Sequence, residues 1–250
     1  MSTALMQGLK FHADPDFDPE SLSAEIKVLS AGQRVALLQE RLGDHLVATT
    51  SFGLQSSVML HLIHEHAPSL PVVFIDTGYL FAETYRYADQ LLDLLPNLDL
   101  RVYQPKLSAA RMEAKWGKLW EGGMEDQNRY ARITKVEPMD RALRDIGADV
   151  WLSGLRRVQS STRRDRPFVE QQQRTLKAYP ILDWPDIQVD LYMDQNDLPR
   201  HPLASDGYVT MGDWHSTVPA ENHDAEFTRF GGQKYECGLH LDSGSSDFQI

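Results

Sequence analysis

The chain has 250 residues, 42% of them hydrophobic, and a formal net charge of −11. That length accommodates one large α/β domain or two small ones, and the acidic balance argues against a general nucleic-acid surface, which needs clustered Lys and Arg. No run approaches the roughly 18 apolar residues of a membrane helix, the start Met1-Ser2-Thr3-Ala4-Leu5 lacks the basic and apolar regions of a signal peptide, and one cysteine cannot close an intramolecular disulfide. The expectation is a cytoplasmic protein without a membrane segment.

Residues 1–20 are polar, carry Pro15 and Pro19, and read as a loose arm. Ser21 to Leu42 has helical character and stops at Gly43. An α/β rhythm then begins. Leu46-Val47-Ala48-Thr49-Thr50 reads as a strand closed by Ser51-Phe52-Gly53. Val58, Met59, Leu62 and Ile63 recur at helical spacing, with His61, His64 and Glu65 on the opposite face. Val72-Val73-Phe74-Ile75 is a buried-type strand ending in Asp76-Thr77-Gly78. Thr84, Tyr87, Ala88, Leu91, Leu92 and Leu95 mark a helix stripe, and Leu100 to Tyr103 the next strand. A long helical region covers 108–147, interrupted at Gly122-Gly123, and Val150-Trp151-Leu152 is a strand broken by Ser153-Gly154. From about Pro199 periodicity fades, and residues 242–250 read as a disordered tail.

Strands alternating with helices predict an α/β fold with an open, mostly parallel sheet and helices on both faces. The predicted division is an N-terminal arm and helix over 1–42, a nucleotide-binding α/β domain over 43–210, and a mobile C-terminal segment over 211–250. Ligands in such sheets bind beyond the carboxyl ends of the strands, where Ser51 to Ser57, Asp76-Thr77-Gly78 and Gly154-Leu155-Arg156-Arg157 fall.

Ser51-Phe52-Gly53-Leu54-Gln55-Ser56-Ser57 resembles a phosphate-cradling turn: the glycine lets backbone approach an anion, the serines supply hydroxyls, and a helix starts behind it. It lacks the Gly-Lys-Ser/Thr ending of a Walker loop, and Ser56 reads equally well as a helix N-cap. Five arginines and one acid, Asp165, lie between Arg156 and Arg166, a cluster suited either to a small polyanion or to a solvated loop. His61, His64 and His66 have no matching acid or cysteine partners, so no metal site is expected. The lone cysteine sits in Lys234-Tyr235-Glu236-Cys237-Gly238-Leu239-His240, a polar setting that suits a reactive thiol better than an inert buried one.

Ser51 to Ser57, Asp76-Thr77-Gly78-Tyr79-Leu80-Phe81, Lys135-Val136-Glu137-Pro138-Met139, Gly154-Leu155-Arg156-Arg157 and Glu236-Cys237-Gly238-Leu239-His240 occur in this order. Together, over residues 45–240, they resemble the phosphoadenylyl-sulfate (PAPS) reductase family; the phosphate turn alone also fits ATP-pyrophosphatase relatives. The resemblance implies an adenine-nucleotide α-hydrolase-like fold, a homodimer, and thioredoxin or glutaredoxin as external electron donor. It implies Cys237 as the nucleophile, with Ser51, Gly53, Gln55, Ser56 and Ser57 facing the phosphosulfate. Asp76, Thr77 and Gly154 would lie near the adenosine, and Lys135, Arg156, Arg157, Arg163 and Arg229 would contact anionic groups, with His240 assisting proton movement. Gly231-Gly232 before the signature suggests that Cys237 swings between substrate and donor. Tyr235 departs from the basic residue often found there, which shifts weight to Lys234.

Cluster-bearing relatives that reduce adenylyl sulfate (APS) carry two cysteine pairs, at positions matching Tyr130-Ala131 and Asp213 with Ser216. A four-iron cluster needs four thiolates and this sequence holds one cysteine, so no bound cofactor is expected. The resemblance implies PAPS as substrate, with APS as the alternative, because cluster-free relatives accepting APS exist.

Overall fold

Alternation within one central strand decides which helices cover which side of the sheet. The computed structural model describes residues 18–160, 163–172, 175–220 and 228. In β1 (Leu46–Thr50), Leu46 and Ala48 enter one buried cluster and Val47 another. The first cluster joins α1 (Pro19–Lys27), α2 (Ala31–Leu42), α3 (Ser56–His66) and α4 (Ala82–Leu94) to the sheet. The second seats Met139 and Ala142 of α7 (Glu137–Ile146) on Val47, Val73 and Trp151.

The remaining strands are β2 (Pro71–Ile75), β3 (Asp99–Tyr103), β4 (Val150–Leu152), β5 (Val169–Gln171) and β6 (Leu176–Ala178), in the order β3-β2-β1-β4-β6-β5. All neighbours pair in parallel except β5 with β6. The predicted mostly parallel sheet with helices on both faces is therefore present. Chain order reverses between β1 and β4, the switch point where a crevice opens at the strand ends.

The stretch 21–42 is two helices, not one. Ser30 starts α2 with a capping box, its hydroxyl accepting from Gln33 N–H while the Gln33 side chain accepts from Ser30 N–H. The stretch 108–147 breaks more often than its glycines announce. It forms α5 (Ala109–Trp116), α6 (Met124–Ala131) and a wide π-type turn over Arg132–Val136 leading into α7. Pro138 has no N–H to return to Thr134 and its ring crowds that carbonyl, so a widened turn just before it relieves the conflict.

His61, on the helix face opposite the apolar stripe, is half-buried rather than fully solvated. Its Nδ1 is 2.8 Å from the Tyr192 hydroxyl, because α8 (Asp186–Gln195), which the sequence pattern did not reveal, packs over that side of α3.

Candidate active site

A cleft of about 700 Å³ opens over the switch point. Its floor is made by residues at the carboxyl ends of β1, β2 and β4, and one wall by residues 208–213. Ser51, Gly53, Gln55 and Ser56 line it, between β1 and α3. Phe52 turns the chain here with φ +47°, a left-handed conformation costing about 1–2 kcal/mol for a side chain with a Cβ. Burial of its ring edge-on against Phe74, 4.9 Å between centroids, and a bond from its N–H to Thr50 Oγ1 offset that strain. Ser56 is the first helical residue rather than the N-cap, and its hydroxyl donates to Gly53 O at 2.9 Å. Gln55 occupies the cap position without capping, so the α3 amino end, with its partial positive charge, carries no side-chain cap beside the cleft.

Gln55 is occupied elsewhere: its Oε1 accepts from Arg156 Nη2. Arg156, 2% exposed, also donates to Asp186 Oδ1 at 2.8 Å and to Trp184 O at 3.3 Å. One guanidinium thereby joins the turn after β1, the turn after β4 and the start of α8. Gln159 Oε1 accepts from both Arg156 N–H and Arg163 Nη1, at 3.0 and 2.7 Å, which brings the second cleft-lining arginine beside the first. Gly154 lets the floor approach α3 closely: a Cβ there would sit 2.7 Å from Met59 Cγ.

On the opposite wall Lys135, raised on the wide turn, places Nζ 2.6 Å from Asp213 Oδ2. Thr77 Oγ1 donates to Asp213 Oδ1, also at 2.6 Å. Asp213 is 0% exposed. Burial alone would raise its carboxyl, but the Lys135 ammonium and the Thr77 hydroxyl outweigh that and hold it below the ordinary carboxylate range. Behind this pair Tyr79, Trp120, Tyr130 and His215 form an aromatic box, with His215 stacked 4.0 Å from Trp120 and bonded to the Tyr130 hydroxyl at 3.0 Å. Burial pushes the His215 imidazole down to about 4, with the Asp213 charge only partly opposing it.

Of the residues singled out in the sequence, Ser51, Gly53, Gln55, Ser56, Thr77, Lys135, Gly154, Arg156 and Arg163 meet in the cleft. Ser57 is buried in α3 outside the lining. Asp76 holds its own turn instead, accepting from Gly78 N–H, the Tyr85 hydroxyl and Gln104 Nε2. Arg157 points away, donating to Arg166 O and lying 5.2 Å over the Phe168 ring. Arg229, Cys237 and His240 lie outside the described residues, as do residues 1–17 and 229–250 as a whole. Tyr130 and Asp213, two of the positions matching cluster cysteines, do come together, but as parts of the aromatic box and the Lys135 pair. Among the described residues no group of three or more His, Cys, Asp and Glu could hold a metal ion, and no helix is long and apolar enough to cross a membrane.

Sequence reading missed Gln159 and Asp186, and treated Asp213 only as a vacated ligand position. Each is a polar residue in an irregular stretch or at a helix start, where no periodicity marks it.

The family model described as "Phosphoadenosine phosphosulfate reductase domain" matches residues 45–219. A phosphoadenosine 5'-phosphosulfate reductase of Xylella fastidiosa is 49% identical over 224 residues, covering 89% of this chain and 94% of the relative. One from Synechococcus sp. is 48% identical, covering 88% and 96%. Among solved structures, the phosphoadenylyl-sulfate (PAPS) reductase of Candida auris, a phosphate complex, superposes with a TM-score of 0.70 at 30% identity, covering 80% of this chain and 96% of that one. Yeast FAD synthetase, at 14% identity and a TM-score of 0.53, shares the fold alone.

Proposed function

The chain belongs to the phosphoadenosine phosphosulfate reductase family of oxidoreductases, and on that basis we propose that it reduces PAPS to sulfite and adenosine 3′,5′-bisphosphate. The observation that carries this reading is the convergence of the uncapped α3 amino end, Arg156, Arg163 and Lys135 on one cleft large enough for a nucleotide.

In the proposed reaction the Cys237 thiolate attacks the sulfur of the sulfonate. An S–S bond forms, the S–O bond breaks, and its electron pair leaves on the 5′-phosphate oxygen. The cysteine now carries a sulfonate. A thioredoxin thiolate then attacks Cys237 Sγ and expels sulfite. Thioredoxin's second thiolate resolves the mixed disulfide, returning the Cys237 thiolate and supplying the two electrons that reduce the transferred sulfur. With one cysteine in this sequence, no resolving thiol is available within it, so the reductant is external, thioredoxin or glutaredoxin.

A thiol of pKa about 8.5 needs cations to become a thiolate at neutral pH. Arg156 and Arg163, with Arg229 from the C-terminal segment, serve that purpose in this reading and also balance charge developing on the leaving phosphate. Delivery of the thiol is sterically reasonable. Thr228 O accepts from Val218 N–H at 3.0 Å and its hydroxyl meets that of Thr210, a cleft residue, at 2.9 Å. Cys237 stands nine positions beyond Thr228, a span of at most about 32 Å at roughly 3.3–3.6 Å per residue. The protein acts as a homodimer in this reading, and the segment bearing Cys237 moves between nucleotide and donor.

The test is sulfite release from PAPS and from APS with reduced thioredoxin, for wild type and Cys237→Ser. Release from PAPS by wild type only is the expected result; equal turnover by the serine variant would overturn the reading.

A further inference from the structure

A fully buried carboxylate in the wall of an anion-binding cleft is an electrostatic liability, since it repels the ligand that the arginines attract. Asp213 is nevertheless fixed there with unusual care. Its backbone forms a bridge with Leu80, and its carbonyl accepts from Ser216 N–H and from the hydroxyls of Ser216 and Thr217. The next residue, Trp214, donates its N–H to Tyr79 O at 2.8 Å. The Asp213 carboxylate meets Lys135 Nζ on one oxygen and Thr77 Oγ1 on the other, both at 2.6 Å. Thr77 is committed to the task, since the same hydroxyl oxygen accepts from Tyr79 N–H at 3.2 Å, leaving its hydrogen for Asp213.

Lys135 is held equally firmly from its own side. The wide turn that carries it is pinned by the Thr134 hydroxyl donating to Tyr130 O at 2.8 Å, and its side chain is largely buried. A lysine on a flexible stem would otherwise fold onto whichever anion enters the cleft. Paired with Asp213, it forms a near-neutral unit whose ammonium is held in one position before any ligand enters.

We infer that Asp213, supported by Thr77, is a positioning residue that withholds the Lys135 ammonium from the resting nucleotide and keeps it fixed for the charge that appears on the 5′-phosphate as the S–O bond breaks. This rests on the reductase reading above. An interaction strengthened only as charge develops raises turnover, whereas one made equally with bound nucleotide merely tightens binding. Asp213 therefore trades affinity for rate.

The experiment compares Asp213→Asn, Asp213→Glu, Thr77→Val, Lys135→Met and the Asp213→Asn/Lys135→Met double variant. Binding of adenosine 3′,5′-bisphosphate is measured by calorimetry, and kcat by sulfite release with PAPS and reduced thioredoxin. Asp213→Asn is expected to bind the bisphosphate severalfold more tightly while kcat falls about tenfold or more, the split that marks an interaction moved from the transition state to the bound ground state. Thr77→Val moves both quantities in the same directions by less, and decides the matter should Asp213→Asn fail to fold. Asp213→Glu restores part of kcat. In the Lys135→Met background Asp213→Asn costs no further turnover, because the two residues act as one unit. A merely structural role would weaken binding and turnover together; that outcome, an unchanged kcat, or additive losses in the double variant would overturn the inference. Should wild type release no sulfite, the reductase reading falls, and the direction of the bisphosphate affinity change in Asp213→Asn still decides whether Asp213 restrains Lys135.

Discussion

Arg156 Nη2 lies 2.8 Å from Asp186 Oδ1, so a guanidinium buried at the end of β4 meets the first residue of α8 at the rim of the cleft. The same nitrogen holds Gln55 Oε1 in the turn after β1, and Nη1 holds Trp184 O. A lysine cannot reproduce this fork, because its single ammonium lacks the planar, divergent donors. Arg156→Lys is expected to lose about 2 kcal/mol of stability in urea unfolding, from the bonds it leaves unmade. Affinity for adenosine 3′,5′-bisphosphate should fall about tenfold or more, as expected for loss of a charge-assisted contact. Unaltered affinity would remove Arg156 from the anion site.

Two glycines separate packing from anion approach. A Cβ on Gly53 meets Ser51 Oγ at 3.4 Å and Met211 Cβ at 3.8 Å, ordinary contacts. Gly53→Ala should therefore change stability by no more than about 0.5 kcal/mol, while lowering bisphosphate affinity because the methyl group stands where the ligand approaches. A Cβ on Gly154 would sit 2.7 Å from Met59 Cγ, and the flexible thioether must move. Gly154→Ala should destabilise by about 1–3 kcal/mol through overpacking. Chemical denaturation with calorimetry on both variants checks the contrast; equal stability losses would contradict it.

What the sequence disclosed and what it withheld have physical causes. The β1 strand and its turn were readable because Leu46 to Thr50 is a short apolar and β-branched run stopped by Ser51-Phe52-Gly53. Helix α8 carried no stripe: Val189 and Met193 are buried while Ile187 and Leu191 are exposed, by 65% and 52%, so apolar residues ring the helix. Strands β5 and β6 have three residues each, too few to display a period of two. The break between α1 and α2 was hidden because Val28, 84% exposed, continues the apolar pattern through the gap. Within the site, the glycine turn and the arginine cluster were visible as composition. Arg157 turning inward onto Phe168, and the Thr77 hydroxyl donating to Asp213, depend on contacts across 11 and 136 residues that no local pattern encodes.

Acid should weaken the fold in two separate windows. Burial lowers the His215 imidazole from 6.5 to about 4, so the folded chain keeps it neutral while the unfolded chain takes up a proton. The stability this group contributes is complete above about pH 6.5 and is lost as pH falls towards 4, below which both states are protonated. His61 and His201, also lowered by burial, act in the same direction. Asp213 has a depressed carboxyl, so its contribution is present above its unfolded value of 3.8 and is lost only at more acid pH. Urea midpoints between pH 7.5 and 4 should fall for wild type and fall less for His215→Phe, which keeps the stack on Trp120. An identical slope in the variant would show that His215 does not titrate in this way.

The central claim, that Cys237 accepts the sulfonate, is tested most directly by mass spectrometry of the intact protein and its peptides after incubation with PAPS and no reductant. One sulfonate per chain is predicted, located at Cys237, with an equal amount of adenosine 3′,5′-bisphosphate released and the adduct discharged as sulfite when reduced thioredoxin is added. Sulfite formed with thioredoxin while Cys237 stays unmodified, or an adduct that persists in Cys237→Ser, would contradict it.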